Sequence, residues 1–183
     1  MSCTEKGTAF FAELISSASV KQVAALRSCG EARRLLLERD FDLVLVNAPL
    51  RDETGENFAK TVASGSLTQV ILAVSGEHYE SVSSECEDNG VLVVAKPINR
   101  QVFWSALMLA RSVRGKLRSM HTENERLRAK IEELRIVDRA KCLLISRMNI
   151  SEKEAHRAIE KQAMDMRSTK KAIAEVILRT YEN

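Results

Sequence analysis

Proline, aromatic residues and long apolar runs are all scarce in this chain, and each shortage removes a class of explanation. Its 183 residues include two prolines, Pro49 and Pro97. Nothing beyond residue 97 therefore carries the residue that breaks a helix most strongly. Aromatic residues make up 4% of the chain, and past Trp104 only Tyr181 remains. A sheet that reads nucleic acid by stacking bases on rings is excluded on that ground. No apolar run approaches the roughly 20 residues that cross a bilayer. The opening residues MSCTEKGT also lack the basic-then-apolar order of a secretory signal. A soluble, cytoplasmic protein with no membrane association is expected. Cys3, Cys29, Cys86 and Cys142 lie far apart, as do His78, His121 and His156, so zinc-type spacing is missing. There is no glycine-rich phosphate loop, nucleophile elbow or HExxH. Neither an enzyme nor a cofactor or metal is expected, and the cysteines read as free thiols. His156, among Glu154, Arg157 and Glu160, reads as a surface residue; His78 and His121 have no evident partner.

What is present is ordinary globular composition, 45% hydrophobic and 29% charged, enough for one large or two small domains. The charge is unevenly divided. Residues 1–110 carry 10 lysines and arginines against 14 acids, a net of −4, and residues 111–183 carry 18 against 11, a net of +7. Only the second part is suited to a polyanion, and the competing reading is a solvated helical surface.

Along residues 8–113 helical and strand-like pieces alternate. Helices are expected over Thr8–Ser17, Glu31–Arg39, Asn57–Ser64 and Tyr79–Asp88. Strands are expected at Gln22–Leu26, Phe41–Asn47, Val70–Val74 and Val91–Val94, the last three as buried apolar runs. This alternation implies an α/β unit, a parallel sheet with helices on both faces. The FDLVLVNAPL segment, the VILAVSG strand ending at Ser75 and VLVVAKPI with Lys96-Pro97 together resemble the receiver domain of bacterial response regulators, a flavodoxin-like fold. That resemblance implies a phosphate-accepting aspartate at the end of the 41–47 strand, where this chain has Asn47. An amide is a poor nucleophile for phosphoryl transfer. The acidic pair that holds Mg²⁺ in such receivers is also missing, and Val93 stands where a switch aromatic is usual. Ser75 and Lys96 are kept, and Lys96 is read as structural, bonded to Asn47. Asp52 and Glu53 follow Asn47 closely enough to suggest a metal pair, with a solvated loop as the better reading. The unit is thus expected to be a pseudo-receiver whose first strand is missing. Either an upstream segment, a swapped strand or a rearranged sheet would fill the gap.

After Pro97 a helix is expected to start near Arg100. Phe103, Ala106, Ala110, Val113, Leu117, Met120, Asn124, Leu127, Ile131 and Leu134 recur in alternating steps of three and four, the seam of a coiled coil. Asn124 falls at a position where a lone buried asparagine fixes register in a two-stranded parallel coil. Dimerisation through Leu117, Met120, Asn124, Leu127, Ile131 and Leu134 is expected, and an intramolecular packing helix is the alternative.

Residues 136–178 hold three apolar-periodic segments. These are Val137, Ala140, Leu143 and Leu144; Ala155, Ala158, Ile159 and Met166; and Ala172, Ile173, Val176 and Ile177. Ser151-Glu-Lys-Glu154 has the spacing of a capping box. Asn149 suits a helix end, and Ser168 or Thr169 a helix start. A compact bundle of three short helices is predicted. The ordered residues Ala140-Lys141 with the Leu-Leu-Ile run and Arg147, Ser151-Glu-x-Glu-Ala155, and Ala172-Ile173-Ala174 with Val176-Ile177 resemble the ANTAR family of bacterial antitermination regulators. Cys142 stands where that family usually has a small residue, often glycine.

The resemblance implies RNA as partner, with paired hairpins of a leader transcript bound by a homodimer. A signalling protein acting on the receiver-like half is a further expected partner. Candidate RNA contacts are Arg139, Lys141 and Arg147 around the first C-terminal helix, and Arg167, Lys170 and Lys171 at the start of the third. Guanidinium groups pair with phosphate and stack on exposed bases, and a helix start favours phosphate. The expected division is 1–113 receiver-like, 114–135 coiled coil and 136–183 RNA-binding. The competing readings are a DNA-binding response regulator, against which the absence of a glycine-containing helix-turn-helix speaks, and a dimeric scaffold that binds no nucleic acid.

Overall fold

A computed structural model describes residues 1–16 and 22–181. By the density of its internal contacts the chain divides into two compact units, Met1–Ser119 and Met120–Asn183.

In the first unit three parallel strands, β1 (Leu43–Asn47), β2 (Gln69–Ser75) and β3 (Leu92–Lys96), lie in the order β1-β2-β3. Because side chains alternate between the faces of a sheet, each strand supplies two cores. Val44, Val46, Val70, Leu72 and Val74 face α2 (Cys29–Glu38), α3 (Glu56–Gly65) and α4 (Tyr79–Cys86), around the fully buried Phe58. Ile71, Ala73 and Val94 face α1 (Glu5–Ser16) and the first turns of α5 (Arg100–Met148), around Phe103. Full burial of such a side chain stabilises by about 1.5–3 kcal/mol. Only β2, the central strand, is buried along almost its whole length; β1 alternates, and β3 is largely half-buried at the edge.

The expected strand at 22–26 is not formed, and α1 begins earlier than predicted, at Glu5; Ser17 lies outside the described residues. The place of the missing strand is taken by two residues. The Met1 ammonium donates to Leu45 O (2.6 Å), Asn47 N donates to Met1 O (3.0 Å), and Ser2 N donates to Leu26 O (3.0 Å). Met1-Ser2 thus lies parallel between β1 and the 22–26 segment as a single bridge opposite Asn47. A pairing of two residues has no hydrophobic periodicity, so it leaves no trace in the sequence pattern.

Asn99 starts α5, its Oδ1 accepting from Gln101 N and Val102 N. The helix then runs 49 residues. It contains no proline, and its one glycine is Gly115. The predicted seam needs correction at its N-terminal end. Phe103 and Ala110, with Leu107 between them, are buried in the first unit's own core, so they are unavailable to a partner. The exposed apolar row begins with Val102 and Leu109 and continues through Val113, Leu117, Met120, Leu127, Ile131 and Leu134.

In the second unit the last turns of α5 pack with α6 (Glu152–Asp165) and α7 (Lys170–Tyr181) around Val137, Ala140, Leu144, Ala155, Ile159, Ala163, Ile173, Ala174 and Ile177. The first of the three predicted short helices is therefore the end of α5. Ala158, Met166 and Val176, assigned to the apolar stripes, are exposed. On α6 the stripe continues from Ile159 to Ala163, and Met166 lies past the last turn as the C-cap. The capping box forms as predicted, with Ser151 Oγ accepting from Glu154 N and Glu154 Oε2 accepting from Ser151 N (2.9 Å). Asn149 ends α5 in the left-handed region at φ 51°, and Thr169 Oγ1 caps α7 by accepting from Ala172 N (3.1 Å).

Candidate nucleic-acid interface

Each unit contains one place where its fold gathers polar residues. In the first it is the C-terminal edge of the sheet. Asn47 Nδ2 donates to Ser2 Oγ (3.0 Å), and the first turn of α1 presses so closely that a Cβ on Gly7 would stand 2.3 Å from Ser2 Oγ. The predicted bond between Lys96 and Asn47 does not form. Lys96 Nζ donates instead to the backbone oxygen of the next residue, Ala48, and burial lowers its pKa. Ser75 Oγ lies 2.6 Å from His78 Nδ1, which gives His78 the partner that the sequence did not name.

Asp52 and Glu53 are not loose in solvent, which corrects the solvated-loop reading. The Asp52 carboxylate accepts from Cys29 N and Gly30 N (2.9 Å each), the open amides at the start of α2, and these bonds hold its pKa below the ordinary value. Glu53 pairs with Arg33 through both carboxylate oxygens. The Cys29 sulfur lies close to both acids. Burial, followed by the charges of Glu53 and Asp52, pushes that thiol up to about 11. Of the four free cysteines, Cys29 and Cys86 are buried, Cys3 is half-buried and Cys142 is exposed.

In the second unit the candidate cations separate into two groups. Lys141 is nearly enclosed, with 14% of its side chain exposed. Its Nζ reaches Asp138 Oδ1 (2.7 Å) and Glu152 Oε1 (3.2 Å), ties the end of α5 to the start of α6, and has its pKa raised chiefly by those bonds. Lys170 donates to Glu160 Oε1, and Lys171 lies 3.9 Å from Glu175. Arg139, Arg147 and Arg167 are exposed. Arg147 and Arg167 enter no ion pair among the described residues.

The sequence reading overlooked a further row. Lys153, Arg157 and Lys161 occur at steps of four on the exposed side of α6, and none enters an ion pair among the described residues. Residues four apart share one face of a helix, so the spacing was a readable signal. Arg147 and Arg167 add further exposed cations to the unit, as do Arg128 and Lys130 on α5. Charges of this kind neutralise phosphates and release counterions from a nucleic acid. His156, half-buried beside this row, lies 3.2 Å from Glu160. His121 lies 3.5 Å from Glu125 on α5. No helix among the described residues is long and apolar enough to cross a membrane.

Residues 125–178 match the family model of the ANTAR domain. The transcriptional regulatory protein PdtaR of Mycobacterium tuberculosis, from strains CDC 1551 / Oshkosh and ATCC 25618 / H37Rv, is 25% identical over 169 residues, which cover 92% of this chain and 82% of that protein. Among solved structures, the signal receiver domain of an HD domain-containing protein from Pseudomonas fluorescens Pf-5 is similar in fold. Its TM-score is 0.56 at 21% identity, over 64% of this chain and 88% of that one.

Proposed function

Starting from a chain that carries an ANTAR domain behind a receiver-like unit, the arrangement of an ANTAR response regulator, we propose that it is a dimeric RNA-binding regulator of transcription antitermination. Its ligand is a pair of hairpins in a leader transcript, held so that a terminator stem does not form. The observation that carries this reading is the coincidence of the ANTAR match at 125–178 with the open cationic row of α6. We place RNA binding in 136–183, dimerisation in 114–135 and an unphosphorylated receiver-like domain in 1–113, in a cytoplasmic protein with no catalytic activity.

Dimerisation is supported by the exposed apolar row from Val113 to Leu134. An α-helix whose apolar residues alternate by three and four buries them by pairing with a second such helix, and Asn124 within the row selects a parallel, two-stranded register. Two binding units on one coil engage two hairpins of one transcript, the second at the effective concentration that the first contact sets. Control through a phosphorylated aspartate is absent in this reading. Asn47 occupies the acceptor position, and its amide is bonded to Ser2. The input is then a partner protein or dimerisation itself.

Fluorescence anisotropy with three ligands of equal length tests the proposal: a two-hairpin RNA, a single-hairpin RNA and a duplex DNA. The two-hairpin RNA is expected to bind most tightly, with an affinity that falls steeply as salt rises. Equal affinity for all three overturns the reading in favour of nonspecific basic adhesion, and a preference for the duplex overturns it in favour of a DNA-binding regulator.

A further inference from the structure

The turn from α6 to α7 combines a strained backbone, an apolar floor and a charged rim. Arg167 stands there at φ 47°, in the left-handed region. Ser168 N donates to Ala163 O (2.9 Å) and Arg167 N to Met164 O (3.1 Å), the bond pattern of a helix end that ordinarily closes on glycine. A side chain in that conformation is unfavourable, because its Cβ crowds the following carbonyl. Strain kept in a short exposed turn points to use of the side chain that causes it.

Beside Arg167 opens a shallow hollow of about 480 Å³ in the same unit, lined by Glu160, Ala163, Met164, Arg167, Ser168 and Lys170. Met164 is 78% exposed although it is among the most apolar residues of α6. Lys170 and His156 both contact Glu160 at Oε1, at the rim of the hollow. The lining discriminates between ligands. A phosphate group inside the hollow would meet the Glu160 carboxylate and the hydrocarbon of Ala163 and Met164. A flat heterocycle would instead lie on that hydrocarbon, with its other face or edge against the planar guanidinium and an N–H directed at the Glu160 carboxylate.

We propose that this hollow receives one unpaired base of an RNA loop, stacked between Met164 and Arg167 and held at its edge by Glu160. The proposal rests on the RNA-binding reading and deepens it. The α6 row and the rim follow the phosphate chain, while the hollow reads a base.

The test uses the full chain and two probes. One is a pool of RNA hairpins with a fixed stem and a randomised loop, and the other is the same stem with an abasic loop. Arg167→Gly removes the guanidinium and gives the turn the residue its backbone favours, so the melting temperature is expected to hold or rise. Lost binding is then not lost folding. Affinity of Arg167→Gly for the base-containing hairpins is expected to fall about 5-fold to 100-fold, the range for removing one side chain that stacks on a base. On the abasic hairpin wild type and variant are expected to differ far less. Arg167→Lys keeps the charge and is expected to retain the salt dependence while losing most of the preference for a base. Equal losses on both hairpins would overturn the proposal and make Arg167 a phosphate contact. Failure of the wild-type chain to bind any hairpin overturns the RNA-binding reading itself, and the two failures are distinguished by that control.

Discussion

Around Asn47 the polar side chains of the first unit turn toward one another, whereas along α6 the cations of the second turn toward solvent. Ser2 holds Asn47, His78 holds Ser75, the Ala48 carbonyl holds Lys96, and the α2 amides hold Asp52. By contrast Lys153, Arg157, Lys161, Arg147 and Arg167 enter no ion pair among the described residues. A polar group that is bonded inside the protein adds to a fold. One left in water at little expense keeps its full charge for a ligand. On the proposed reading the difference separates a unit that serves by its shape from one that serves by its surface, and variants on either side probe it.

The largest effect is expected from Leu127→Glu, which places two like charges at the centre of the proposed pairing seam. Sedimentation is expected to change from dimer to monomer, and the preference for two hairpins over one is expected to vanish. A monomeric wild-type chain would refute the proposed pairing seam. Next is Phe58→Ala in the first unit, whose side chain is fully buried. The cavity is expected to lower stability by about 3–5 kcal/mol. RNA affinity below the new melting temperature should be unchanged, and a matching loss of affinity would show that the two units do not divide the work as proposed.

A smaller effect is expected from Ser151→Ala, which removes the N-cap of α6 and about 1 kcal/mol. The bonds from the Ser151 hydroxyl and then its backbone amide hold the Glu154 carboxyl below the ordinary value. A depressed folded pKa means that the stabilisation is present above the unfolded carboxylate value, near 4.3, and is lost as pH falls through the folded one. Thermal melts from pH 7 to pH 3 are therefore expected to show a shallower acid decline in the variant than in the wild type. The smallest expected effect is none. Small phosphodonors with Mg²⁺ are expected to leave the chain unmodified, and a stable acyl phosphate mapped to residues 41–53 by mass spectrometry refutes the phosphorylation-independent reading.

Periodicity made much of this architecture readable. The apolar strands at 41–47 and 70–74, the capping box at Ser151 and the helix end at Asn149 all lie where local sequence placed them. Spacing did not reveal which stripe of α5 faces inward. Phe103, Ala106 and Ala110 continue the same steps of three and four as the exposed row, and only the fold shows that Phe103 and Ala110 belong to an internal core. Nor does composition say which cation is already paired. Lys141 meets Glu152 and Lys170 meets Glu160 across separate helices, so their neutralisation is a tertiary fact. Lys153, Arg157 and Lys161 are legible as a row of four-residue steps, although a helix start is the more conspicuous signal for phosphate. The hollow beside Arg167 was beyond reach of the sequence, since only the backbone angle of that residue marks it.

The inward bonding around Asn47 has a consequence for signalling. A ligand shifts a conformational equilibrium only by the difference in its affinity for two states. A group arriving at this pocket would first displace bonds worth about 0.5–1.5 kcal/mol each, and Asn47 and Lys96 are already engaged with Ser2 Oγ and the Ala48 carbonyl. The bonds around Asn47 therefore resemble a clasp that is already closed. In the language of circuits, the proposed reading makes phosphate a constant, and the variable passes to a partner protein or to whether two copies meet.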